Sequence, residues 1–96
     1  MKPEFHPAAE QEFSASVDWY EVRAPGLGAQ MRNEVGRAIV LLCDRPTLGI
    51  PFGNAMRQLP LRRFPYTLIY RISGDNLRII AIAHSRRRPG YWSGRR

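Results

Sequence analysis

The sequence predicts an α+β fold in which an N-terminal antiparallel helix hairpin packs on one face of a small, mainly antiparallel β-sheet. Two apolar stripes of helical period fill residues 8–44, broken only by Ala24-Pro25-Gly26. Three strand-like runs then follow one another between Met56 and His84, so helices and strands are segregated along the chain. The last two runs are rich in aromatic and β-branched residues and flank Ser73-Gly74-Asp75-Asn76, which supplies turn chemistry.

Met1 to His6 reads as a short edge strand anchored by Phe5 and stopped by Pro7. Pro7 suits the first turn of a helix, and Glu10 and Glu12 place negative charge near its positive dipole end. Ala9, Phe13, Ser16, Val17 and Tyr20 recur at three and four residues, which predicts a first helix over 8–23 with one buried stripe. Leu27, Met31, Val35, Ala38, Ile39 and Leu42 predict a second over 27–44, and the short breaker folds it back on the first. Gly36 costs the second helix about 1 kcal/mol against alanine, which is expected where another backbone approaches. Arg37 and Arg45 lie toward that helix's C-terminal half, where the dipole favours cations. Residues 45–54, punctuated by Pro46, Gly49, Pro51 and Gly53, read as a loop. Met56 to Leu61 reads as a strand that Pro60 marks as an edge or a bulge.

The strands predicted over 63–72 and 77–84 form a hairpin. With Ile72 opposite Leu77, Tyr70 pairs with Ile79, Leu68 with Ala81 and Tyr66 with Ala83. This apolar face calls for the helices as its cover. The other face carries Thr67, Ile69 and Arg71 opposite Arg78, Ile80, Ile82 and His84, greasy in the middle and basic at the turn.

Ninety-six residues with 44% hydrophobic and 24% charged side chains describe one globular domain, residues 1–96. No apolar run approaches the length of a bilayer span, and the first residues lack the apolar core of a signal peptide; a cytoplasmic protein is expected. Cys43, the single cysteine, cannot close an internal disulfide and reads as a small core residue, and no spacing suggests a metal or another cofactor. The net charge of +7 comes from arginine, since Lys2 is the only lysine. Guanidinium favours bidentate contacts with carboxylate or phosphate, so an acidic partner is expected.

Leu61-Arg62-Arg63-Phe64-Pro65-Tyr66-Thr67-Leu68-Ile69-Tyr70, leading into Ile80-Ala81-Ile82-Ala83-His84-Ser85-Arg86-Arg87 and Pro89-Gly90-Tyr91-Trp92, resembles the RelE/ParE superfamily of toxins from type II toxin–antitoxin systems. Trp19-Tyr20-Glu21 and Gly26-Leu27-Gly28 extend the likeness to nearly the whole chain. The resemblance implies one of two activities on this scaffold, both neutralised by an antitoxin whose C-terminal segment wraps the toxin. RelE-like members cut mRNA on the ribosome with basic residues and a C-terminal tyrosine on the open sheet face. ParE-like members lack that set and poison DNA gyrase. Alignment on Pro65 to Tyr70 puts Gln58 and Pro60 where the nuclease has lysines and Thr67 where it has an arginine. Only Arg87 matches a nuclease cation, and Tyr91 approximates the C-terminal tyrosine. RNA cleavage by a 2′-hydroxyl needs an acid, a base and cations on the developing phosphorane, so the resemblance is closer to the ParE branch.

The expected partner-binding residues are Ile69, Arg71, Arg78, Ile80, Ile82, Arg86, Arg87, Arg88, Tyr91 and Trp92, with an acidic and apolar segment covering the isoleucines or the seam between helices and sheet. Exposed apolar surface on a small basic protein needs such a cover. Arg71 and Arg78 repel unless an anion lies between them. Tyr91 and Trp92 either stack on nucleobases or pack down and pin the tail. His84, Arg87 and Tyr91 are the catalytic set if the chain is a nuclease; otherwise there is none. The reading is a ParE-like toxin docking on gyrase and reaching DNA only through its antitoxin. The alternatives are a ribosome-dependent mRNA endonuclease and an inactive, antitoxin-binding co-repressor.

Overall fold

A computed structural model describes residues 1–53 and 55–96. The elements are β1 (Lys2–Phe5), α1 (Pro7–Arg23), α2 (Leu27–Asp44), β2 (Ile50–Phe52), β3 (Met56–Pro60), β4 (Tyr66–Ser73) and β5 (Asn76–His84). The five strands form one sheet in the order β1-β5-β4-β3-β2, parallel between β1 and β5 and antiparallel elsewhere. The α+β architecture is the one expected.

Pro7 occupies the first turn of α1, and His6 caps it by accepting from the Ala8 amide through Nδ1 at 3.0 Å. Gly26, at φ 89°, makes the left-handed turn between the helices. Their close approach is at Gly28, not Gly36. A Cβ on Gly28 would lie 2.6 Å from the Val17 carbonyl oxygen, whereas one on Gly36 would meet nothing within 4 Å. The Glu21 carboxylate accepts from the Gly26 and Gly28 amides at 2.9 and 3.0 Å, satisfying donors at the start of α2.

Two further boundaries differ from expectation. The predicted loop 45–54 contains β2, whose Ile50 pairs with Gln58; Asn54 lies outside the described residues. The first hairpin strand starts at Tyr66 instead of Arg63. Phe64 leaves the sheet to pack edge-on against Tyr20, with ring centroids 4.8 Å apart.

The hairpin register holds from the turn to Tyr70–Ile79 and then shifts. A β-bulge leaves Ile80 as an extra residue, so Ile69 faces Ala81, Leu68 faces Ile82, Thr67 faces Ala83 and Tyr66 faces His84. Because side chains alternate, one extra residue moves every later side chain of β5 to the opposite face. Ala81 and Ala83 leave the helix side, and Ile82 joins it. The core beneath the helices contains Ala9, Val17, Met31, Val35, Leu42, Leu68, Tyr70, Leu77, Ile79 and Ile82. A second cluster, Met56, Ile69, Ile80, Ala81 and Ala83, lies on the other face beneath Phe52, Tyr91 and Trp92.

Candidate partner-binding surfaces

The second sheet face is covered by the chain itself. After β5 a series of turns brings Tyr91 and Trp92 down onto it, and Trp92 meets Phe52 edge-on with centroids 6.2 Å apart. Glu12 on α1 fixes this tail. Its carboxylate accepts from Tyr91 Oη at 2.8 Å and from Arg95 Nη1 and Nη2 at 3.0 and 2.9 Å. It also accepts from the Ile82 amide at 3.1 Å, and Arg95 Nη1 donates to the Ile80 carbonyl at 3.0 Å. β1 stops opposite Ile79, so this ion pair takes over the backbone groups of β5 where strand pairing ends. Bonding to Glu12 raises the Arg95 pKa. Burial, reinforced by the hydrogen bond to Glu12, holds the Tyr91 phenol well above the usual tyrosine value.

The residues expected to bind a partner are thus divided. Ile69 and Ile80 are fully buried under the tail and Ile82 is buried under the helices, so none offers surface. Tyr91 and Trp92 pin the tail to the sheet. Arg71 and Arg78 are cross-strand neighbours as expected, but Arg78 turns to Glu4 at 3.5 Å and to the Arg96 main-chain oxygen at 3.1 Å. Contacts within the chain relieve that repulsion, so it no longer points to a ligand. Arg86, Arg87 and Arg88 are exposed, with Arg87 stacked 4.0 Å over the Tyr91 ring. His84 takes the Arg86 amide on Nδ1 at 3.0 Å and meets Tyr66 edge-on at 4.9 Å.

An open apolar surface remains at the seam between α2 and β3. Ala38, Leu41, Leu59, Pro60 and Leu61 line a groove of about 410 Å³ rimmed by Glu34, Arg37, Arg62 and Arg63. Glu34 shapes it by accepting from the Arg62 and Arg63 amides at 2.5 and 3.2 Å, and Arg63 reaches Gln30 at 2.6 Å. Among the described residues neither Arg37 nor Arg62 forms a salt bridge. On the adjoining face of α2, Val40 and Leu41 are 71% and 42% exposed. The seam is one of the two places where the sequence leads one to expect a partner; its arginines do not stand out there, because Arg37 in sequence reads as a helix-dipole charge. Glu12 was missed for the same reason.

A helix hairpin on a sheet of this order narrows the family, and the sequence decides it: the model for the ParE toxin of the type II toxin–antitoxin system parDE matches residues 4–89. The chain belongs to the ParE toxin family. A chain of the chromosomal ParDE toxin–antitoxin system from P. aeruginosa has the same fold, with a TM-score of 0.75 over 88% of this chain and 95% of that one at 22% identity. No curated protein sequence matches. Membership in a ParE family makes this chain the toxin component of a type II pair. Among the described residues no helix is long and apolar enough to cross a membrane.

Proposed function

We propose that this ParE-type toxin, acting as one domain over residues 1–96, is held inactive in the cytoplasm by a cognate antitoxin and, once free, docks on DNA gyrase without catalysing a reaction. The α2–β3 groove carries the antitoxin half of the reading. Its apolar floor, with Arg37 and Arg62, which form no salt bridge among the described residues, complements a segment of apolar and acidic residues. Contact with DNA then comes only through the antitoxin.

Family membership supports gyrase as the target. The exposed Arg86, Arg87 and Arg88 supply a basic patch for docking on it. The non-catalytic reading draws on Gln58, Pro60 and Thr67, which give no cation where a phosphorane would need one. It also draws on Tyr91, whose hydroxyl is tied to Glu12 and held in its neutral form, a poor general base.

Purified chain should inhibit supercoiling by gyrase, its cognate antitoxin should relieve that inhibition, and a translating extract should show no mRNA breaks. Codon-specific breaks that vanish with Tyr91→Phe or His84→Ala would overturn the docking reading in favour of the endonuclease.

A further inference from the structure

We infer that the depression between α1 and the end of β5 binds a nucleotide unit, with its base against an aromatic wall and its phosphate against Arg87 and His84. The depression measures about 270 Å³ and is lined by Glu12, Ser16, Trp19, Tyr20, Tyr66, His84 and Arg87, with Ala15. It is separate from the α2–β3 groove and shares only Arg87 with the basic patch proposed for docking on gyrase.

The bulge creates the site. By reversing the alternation of β5 it turns His84 to the helix side, opposite Tyr66 and beside α1. Because His84 Nδ1 accepts the Arg86 amide, the neutral ring carries its proton on Nε2, which leaves that nitrogen a donor. Arg87 is held over Tyr91 and makes no salt bridge among the described residues; neither do Arg86 and Arg88. Both His84 and Arg87 line the depression within a strongly positive chain segment, a setting suited to phosphate.

Glu12 would repel an anion if its charge were free. It accepts four hydrogen bonds, two of them from Arg95, so its charge is neutralised within the wall. Ser16 is likewise engaged, donating to the Phe13 carbonyl at 2.7 Å.

The rest of the wall is aromatic, with the Trp19 and Tyr20 rings edge-on to each other. Trp19 is 50% exposed, an uncommon position for an indole, and is oriented by Arg23, whose guanidinium lies 3.3 Å over the ring. Tyr20 and Tyr66 adjoin it, edge-on to each other at 6.3 Å. Burial raises the pKa of both phenols, so both remain neutral beside a bound anion. Flat rings next to a guanidinium and an imidazole N–H match a base joined to its phosphate.

Calorimetry on the full chain at physiological salt tests the site with 5′-uridine monophosphate, a hexauridylate, inorganic phosphate and a phosphotyrosine peptide. Saturable one-to-one binding of the mononucleotide is expected, with inorganic phosphate much weaker. Trp19→Ala and Arg87→Gln should each weaken it about tenfold or more, in line with loss of one base–aromatic stack or one charged contact. Both side chains are exposed, so unchanged thermal midpoints are expected and would exclude unfolding as the cause. Arg45→Gln, which removes the same charge elsewhere on the surface, should leave binding as it was. A hexamer much tighter than the mononucleotide assigns the site to a single strand; equal affinities assign it to free nucleotide. The inference is overturned by absence of saturable binding, by Trp19→Ala binding like the parent, by Arg45→Gln weakening binding as much as Arg87→Gln, or by tighter binding of the phosphotyrosine peptide.

Discussion

Glu12 joins three segments remote in sequence, because its carboxylate accepts from the Ile82 amide, the Tyr91 hydroxyl and the Arg95 guanidinium. The pair it forms with Arg95 is largely shielded, with side-chain exposures of 15% and 18%. Removing Glu12 strands the Ile82 amide and the Tyr91 hydroxyl, while removing Arg95 leaves the carboxylate two donors. Glu12→Ala should therefore cost about 2–3 kcal/mol, and Arg95→Ala less, in urea denaturation. His6 gives a second expectation. Its pKa is lowered by burial first, then by the nearby Arg95 and Arg78, against an opposing pull from Glu12. The unfolded chain protonates before the folded one, so stability is full above about 6.5 and falls as pH drops below it toward the folded value. His6→Ala should flatten this part of the urea midpoint against pH. Neither role was legible in the sequence: a glutamate near a helix N-terminus reads as a dipole charge, and its partners lie 70 to 83 residues away.

At the scale of elements, sequence patterning was reliable up to the point where one residue broke the alternation. The helix stripes, the breaker and the turn-proximal half of the β4–β5 hairpin were legible because they rest on local spacing. The bulge was not, since Ile79, Ile80, Ala81 and Ile82 are all apolar and leave the period of two unmarked. Its position now makes Ile82 a core residue, and Ile82→Ala should cost about 2–5 kcal/mol by thermal or chemical unfolding. The two helical glycines separate in the same way. Gly28→Ala drives a Cβ into the Val17 carbonyl and should destabilise by about 1–3 kcal/mol. Gly36→Ala, open to solvent, should stabilise by about 1 kcal/mol. Opposite shifts of the two thermal midpoints would check the packing of α1 on α2.

For the whole molecule, the decisive feature is which apolar surface the chain covers itself. The sheet face expected to await a partner is closed by Phe52, Tyr91 and Trp92, whereas the α2–β3 groove stays open. The sequence could not distinguish them, because residues 86–96 have no periodicity and their docking depends on Glu12. With the groove as the antitoxin site, Arg37→Glu should slow association and flatten its salt dependence, since a rim charge acts by steering. Leu41→Ala, at the apolar lining, should instead speed dissociation. Surface-plasmon kinetics with the cognate antitoxin would separate the two effects.

The parallel pairing of β1 with β5 sets a temporal order as well as a topology. Lys2 lies opposite Asn76 and Phe5 opposite Ile79, so the first strand has no partner until the last strand exists. Joining such distant segments carries the loop-closure cost of nearly the whole chain, whereas the helix hairpin and the β3–β5 meander need only local closure. During synthesis the N-terminal strand must wait, and the sheet closes over it late. Phe5→Ala, which removes the ring stacked on Phe13 at 5.9 Å, should then accelerate unfolding while hardly slowing refolding, a φ-value near zero in stopped-flow measurements.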